Sequence, residues 1–453
     1  MAPRVPPSAG SPVPGGRLSR LARLGGMAAG VAGGMLAEGA GRLARGERPR
    51  LEDLLMTPTN VLRVTGQLAN LRGAAMKMGQ LISMEAGDIL PPELAAIMAR
   101  LRADAEPMPR AQVQSVLDRA WGPGWLERFE RFSFHPIAAA SIGQVHRART
   151  HDGRDLAIKI QYPGVRRAID SDVDNVATLL RLSGLVPRHL DVGPLLREAK
   201  RQLHEEADYE READCLERFA ALLAEDPDFR VPAVHRDLTG RDVLAMDYCD
   251  SVPIETLERM PQDERDRVAA RLVDLALREL FVFRLMQTDP NLANYRYEPQ
   301  TGRIVLLDFG ATRAFSAGFV EPCRALAVAG LADDRAGVAA ALTRMGLVDE
   351  RLPQRHRDRI LAMFDLAKAP LLGSDLFDFG DAAILRRLRE AGLEFADERE
   401  FWRLPPTDAL FLQRKVGGTY LLAARLKARV DVKALAARYV PPRVDAGDEA
   451  PLA

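Results

Sequence analysis

The hydrophobic pattern changes period along the chain. Val61, Val64, Leu68, Leu71 and Ala75 recur at alternating three- and four-residue spacing, which lines one face of a helix. Pro91 and Pro92 end that helical stretch. From about residue 131 the period shortens. Phe132 to Phe134, Gly143 to Ala148 and the short run Leu156 to Ile160 read as strands, with His151 to Arg154 as a turn. His146 and His151 flank a strand end and read as surface residues. Leu195 to Leu222 reads as one helix, with Leu196, Leu203, Ala207, Leu216 and Phe219 on its apolar side. Val243 to Tyr248 is a further strand, followed by a turn at Cys249 to Pro253. Beyond it the pattern is mostly helical to about Tyr439, interrupted by segment 286–310. There an apolar strand, Ile304 to Leu307, ends in Asp308-Phe309-Gly310.

Composition narrows the function classes. The chain has 453 residues, enough for two to three domains. Lys+Arg and Asp+Glu are both 63, so no global field points to nucleic acid. Cys215, Cys249 and Cys323 form no CxxC pair and predict neither a disulfide framework nor a zinc site. The Pro, Gly and Ser-rich start, 1–16, reads as disordered. In the first fifty residues eight Arg stand against Glu38 and Glu47. The uncharged run Leu24 to Leu36 within that basic stretch is shorter than the ~18–20 residues a membrane span needs. Segment 17–50 therefore reads as a basic, Gly/Ala-rich stretch for an anionic membrane surface. An Arg-rich, acid-poor start is also compatible with a transit peptide.

The chemistry concentrates at 286–310. Asp289 is followed five positions later by Asn294, and Asp308-Phe309-Gly310 comes 19 residues after Asp289. Phosphoryl transfer from a nucleotide uses one carboxylate to orient the attacking oxygen, and a downstream Asn and Asp to hold Mg²⁺. Four upstream parts complete such a site. Ala138-Ala139-Ala140-Ser141-Ile142-Gly143-Gln144-Val145 stands where a glycine-rich phosphate loop would be, with Ala138 and Ala140 at its first two glycine positions. Lys159, in a strand 14 residues after Val145, would contact the α/β-phosphates. Glu212 is the candidate partner of Lys159, with Asp208 on the same helical face and Glu206 about 120° away. Met246, Asp247, Tyr248 and Cys249 fit a hinge. His235-Arg236-Asp237-Leu238 matches a catalytic-loop motif letter for letter. It lacks the Asn five positions on and precedes the hinge strand, so it reads as a polar turn.

These residues resemble the UbiB/AarF/ADCK atypical kinase family, most closely its coenzyme Q branch, over roughly 17–440. The marks are Lys77-Met78-Gly79-Gln80, Pro136 to His146, Ala157 to Val165, Glu206 to Ala213, Thr288 to Asn294, Leu307 to Arg313, and the C-terminal Arg414 to Thr419. The resemblance implies that Lys77 and Gln80 belong to a regulatory extension whose lysine reaches the nucleotide. It implies that Glu206 and Asp208 engage that extension, and that Ala138 to Ala140 tune nucleotide affinity. A Cβ at two glycine positions would crowd the phosphates.

The expected fold is α+β, an atypical protein-kinase-like two-lobed structure with an N-terminal helical extension. Its expected parts are a tail at 1–16, the basic segment 17–50, the extension 51–125, an N-lobe 126–252, a C-lobe 253–442 and a tail 443–453. The expected activity is that of an Mg²⁺- and ATP-dependent kinase or ATPase in ubiquinone biosynthesis, on the inner membrane. Ubiquinone-biosynthesis proteins or quinone-like lipids are the expected partners; a homodimer stays open. A Ser/Thr protein kinase and a nucleotide-binding scaffold without turnover are the alternatives. The chain has no Ala-Pro-Glu after Asp308, which counts against ordinary peptide phosphorylation.

Overall fold

The computed structural model describes residues 107–140, 142–182, 193–349, 351–373, 376–396 and 405–440. The helical pattern around Val61 to Ala75 and segment 17–50 lie outside them. In chain order the first elements are α1 (Arg110–Trp121), β1 (Phe129–Phe132), β2 (Ala138–Ala139), β3 (Gly143–Thr150), β4 (Asp155–Gln161), α2 (Val165–Leu182), α3 (Gly193–Glu206), α4 (Tyr209–Leu222), β5 (Phe229–Arg230) and β6 (Val243–Asp247). Then come β7 (Val252–Pro253), α5 (Gln262–Arg278), β8 (Leu285–Gln287), β9 (Tyr295–Glu298), β10 (Arg303–Leu306) and β11 (Thr312–Ala314). The longer helices that follow are α6 (Ala317–Leu331), α7 (Arg335–Arg344), α8 (Gln354–Ala367), α9 (Ala383–Ala396), α10 (Thr407–Arg425) and α11 (Val432–Tyr439). Among the described residues, 107–217 and 233–248 form one unit, and 218–232 and 249–440 another.

The first unit is built on an antiparallel sheet. β1 and β2 both pair with β3, β3 pairs with β4, and β4 with β6. β4 lies between two neighbours and is buried along most of its length, which explains its near-continuous apolar sequence. Helix α1 sets Val113, Val116 and Leu117 on one face. They join Leu156, Ile158 and Ile160 in one core with Trp125 and Phe129. Each such side chain contributes about 1.5–3 kcal/mol on burial.

Four details differ from the sequence reading. The first strand is Phe129–Phe132, not Phe132 to Phe134, because the chain bends at Ser133, whose Oγ donates to the His135 carbonyl at 2.8 Å. His146 is wholly buried rather than on the surface. It falls on the inner face of β3, where its ring stacks on Phe132 at 5.7 Å. His146 Nδ1 meets the Ser133 carbonyl at 2.7 Å and Nε2 meets Gln144 Nε2 at 2.8 Å. That pattern requires a neutral ring protonated at Nδ1, and burial pushes its pKa down accordingly.

The third difference is that the helix read across Leu195 to Leu222 is two helices. It breaks at Ala207-Asp208, where Asp208 Oδ1 accepts the Arg211 N–H at 3.1 Å as an N-cap. Gln161 of β4 donates to the Ala207 carbonyl at 2.6 Å, satisfying a group the break would strand. Asp208 therefore caps α4 while Glu206 ends α3, so the 120° offset read between Glu206 and Glu212 along one continuous helix does not apply. Lastly, Val252 and Pro253 are not in a turn but pair with β9.

The second unit holds a four-stranded sheet, ordered β5-β10-β9-β7, and a separate β8–β11 pair. β5 runs parallel to β10, and the other pairings are antiparallel. Leu280, Met286, Phe315, Val320, Cys323 and Phe411 make a core beneath the β8–β11 pair. Helices α5 to α11 run to Tyr439, as the pattern predicted.

Candidate active site

In the second unit, two loops leave the β8–β11 pair side by side. Thr288 donates from its N–H and its Oγ1 to the Ala311 carbonyl, at 3.1 and 2.7 Å. The next residue is Asp289. The N–H of Leu307 donates to the Asn294 carbonyl at 3.0 Å, so Asn294 and Asp308 lie at the ends of adjoining backbone segments. Asn294 Nδ2 donates to Asp289, to its carbonyl at 3.0 Å and to Oδ2 at 3.2 Å. This commits the amide nitrogen and leaves the amide oxygen as the donor a cation could take. Asp308 Oδ1 accepts the Gly310 N–H at 3.0 Å. Phe309 is buried against Phe219, ring centroids 4.5 Å apart, and anchors the turn.

One carboxylate and one amide oxygen suit Mg²⁺, which takes few protein oxygens and completes its shell with phosphate and water. Among the described residues no cluster of three or more His, Cys, Asp or Glu could hold a metal ion.

Asp289 also forms an ion pair with Arg414 of α10, whose side chain is 9% exposed. Helix α10 reaches the loop because residue 418 is glycine; a Cβ there would collide with the Pro290 ring. Lys415, the next residue, pairs with Glu279 at 2.6 Å. Burial opposes the Lys415 charge, and the Glu279 carboxylate outweighs it, holding the ammonium above its ordinary pKa. Neither the role of Arg414 and Lys415 nor that of Glu279 is legible in the sequence pattern alone. The available signal was a Gly417-Gly418 pair inside a helical pattern, which implies close packing.

In the first unit, Lys159 Nζ lies 2.8 and 3.0 Å from the two Glu212 carboxylate oxygens. Lys159 is 7% exposed and Glu212 wholly buried. The ammonium also lies 5.3 Å from the centroid of the Tyr209 ring. Tyr209 and Glu212 both sit on the first turn of α4, so the break at Ala207-Asp208 is what aims this helix at β4. Val145 is opposite Lys159 across β3 and β4. A Cβ at Gly143 would collide with the Ile160 carbonyl, which accounts for the one loop glycine the sequence keeps. Ala138 and Ala139 lie exposed in β2, and the Ala140 N–H closes the hairpin onto the Gly143 carbonyl at 2.9 Å.

The hinge candidates are engaged within the protein. Met246 and Cys249 are buried. Asp247 accepts from His235 Nε2 at 2.8 Å, and Arg147 covers the Tyr248 ring at 3.9 Å. The motif His235 to Leu238 is a strut: Arg236 bonds Glu217 and Asp214 on α4, and Asp237 bonds Arg154. Glu206 ends α3, half-buried, and Asp208 lies 3.5 Å from Arg166. Lys77, Gln80 and Ser141 lie outside the described residues.

Residues 100–342 match the ABC1 atypical kinase-like domain. The chain is 36% identical over 427 residues to the mitochondrial atypical kinase COQ8 of Saccharomyces cerevisiae, across 93% of this chain and 84% of that protein. It is 37% identical over 424 residues to the mitochondrial atypical kinase COQ8B of Rattus norvegicus, across 92% and 79%. A solved structure of Mycobacterium tuberculosis Rv3197 with erythromycin superposes with a TM-score of 0.57 at 25% identity, covering 85% of this chain and 96% of that one.

Proposed function

The chain belongs to the ABC1 atypical kinase-like family, and from that premise we propose that it is an Mg²⁺- and ATP-dependent kinase or ATPase supporting ubiquinone biosynthesis at a membrane surface. The observation that carries the reading is the loop Asp289 to Asn294, bonded through Leu307 to the segment that presents Asp308. Asp289 accepts the proton of the attacking hydroxyl or water. Lys159, held by Glu212, binds the α/β-phosphates. Asn294 and Asp308 hold Mg²⁺, which when bound neutralises charge on the phosphates.

Asp289 already spends one carboxylate oxygen on Arg414, and Ala138 and Ala140 stand where a phosphate loop has glycine. Both features favour slow turnover on a restricted acceptor, or on water, over phosphorylation of generic peptides. The test is quinone profiling of a deletion strain. Wild type should restore ubiquinone and Asp308→Asn should not; equal restoration by both removes the link between this site and quinone synthesis.

The membrane part rests on the basic segment 17–50. No described helix is long and apolar enough to cross a membrane. Each Arg near an anionic surface contributes about 1 kcal/mol. The expected location is peripheral on the inner membrane, facing the cytoplasm in a bacterium or the matrix in a mitochondrion. The full chain should float with anionic liposomes at low salt, and a chain lacking 1–50 should float less. Equal flotation of both would place the contact elsewhere.

A further inference from the structure

Beneath the loop that carries Asp289 lies a second buried lysine–glutamate pair. Lys415 is 2% exposed and Glu279 1%, with Nζ and Oε2 2.6 Å apart. Glu279 opens a π-helical turn, Glu279–Phe283, at the end of α5. Its Oε1 accepts the Gln287 N–H at 3.2 Å. Gln287 in turn donates from Nε2 to the Asp289 carbonyl at 2.7 Å. On the other side, Lys415 Nζ donates to Tyr295 Oη at 3.4 Å, and Tyr295 directly follows Asn294. The pair therefore grips both the entrance of the 289–294 loop, through Gln287, and its exit, through Tyr295. A cavity of about 10 Å³, lined by Pro290, Tyr295, Lys415 and Gly418 among others, marks where α10 approaches the loop.

Burying two charges is costly, and apolar side chains of similar volume often serve stability as well or better. Stability alone is a weak reason for the pair. A π-helical turn is also a costly departure from α-helix that tends to mark functional positions. Lys415 adjoins Arg414, so whatever fixes α10 in register also fixes the cation on Asp289.

We propose that Lys415 and Glu279 are positioning residues for phosphoryl transfer, holding the Asp289 to Asn294 loop and Arg414 in the geometry that turnover requires, without touching substrate. This rests on the kinase or ATPase reading above.

The experiment compares wild type, Lys415→Met, and the double variant Glu279→Gln/Lys415→Met in the full chain. Gln keeps an acceptor for the Gln287 N–H, and Met approximates the lysine stem. Melting temperature, affinity for Mg-ADP and kcat for Mg-ATP turnover are measured together. Lys415→Met alone should melt lower, because it leaves a buried carboxylate unpaired. The double variant should melt within a few degrees of wild type and bind Mg-ADP within about twofold, while kcat falls at least tenfold. A double variant with wild-type kcat overturns the proposal. So does one whose melting temperature and ADP affinity collapse with kcat, which would assign the pair to stability. Wild-type protein without ATP turnover would remove the underlying reading, and this inference with it.

Discussion

Asp289→Asn should lower Mg-ATP turnover at least a hundredfold and leave nucleotide affinity within about threefold. A positioned general base is worth about 10²–10⁴ in rate, and an amide cannot take the proton. Affinity should hold because the change is isosteric and Asn294, which bonds Asp289 through its backbone carbonyl as well as its side chain, keeps half of that contact. The Arg414 guanidinium loses its anion and faces an amide instead. A hydrogen bond to a charged group is worth about 1.5–3 kcal/mol, so the variant should also melt lower. Steady-state turnover beside equilibrium nucleotide binding reads both effects. A variant with wild-type kcat would take Asp289 out of the chemistry.

Lys159→Met should have the second large effect, through two separable causes. It removes the ammonium assigned to the phosphates, and it leaves Glu212 buried without its cation. Breaking a buried pair costs about 3–5 kcal/mol, so the single variant should unfold at clearly lower temperature or denaturant. Adding Glu212→Gln removes the stranded charge and should recover most of that stability. It should not recover turnover, because no cation has been returned. If Lys159→Met/Glu212→Gln turns over ATP like wild type, the pair serves packing alone.

Local signals in the sequence carried much of this site. Asp289, Asn294 and Asp308 lie within 20 residues of one another, and the lysine stands inside a short β-branched strand. Glu212 could be matched to Lys159, 53 residues away, because one helix and one strand narrow the candidates. Other features depended on partners that no local pattern reveals. Arg414 meets Asp289 across 125 residues, and Lys415 lies 136 positions beyond Glu279. His146 was misplaced because an imidazole is compatible with either face of a strand; only the Gln144 and Ser133 contacts show that a buried ring is satisfied there. The break at Ala207-Asp208 was hidden because the apolar positions keep helical spacing on both sides of it. Asp208 followed by Glu210 and Glu212 was the readable cue, a capping residue before an acidic first turn.

The Lys159–Glu212 and Lys415–Glu279 pairs differ in what should follow their removal. The first includes a cation expected to touch the nucleotide, so its loss should change both affinity and rate. The second supports a loop, so its paired removal should change rate alone. Comparing the two double variants under one set of conditions separates binding from positioning.

The central claim is that this is a phosphoryl-transfer site that uses a metal held by Asp308. Its most direct test is Mg²⁺-dependent ATP turnover by purified wild type and Asp308→Asn, with nucleotide binding measured with and without Mg²⁺. Wild type should turn over ATP only with Mg²⁺, and Asp308→Asn should lose turnover together with the Mg²⁺-dependent part of its nucleotide affinity. Turnover by Asp308→Asn at the wild-type rate would contradict the account.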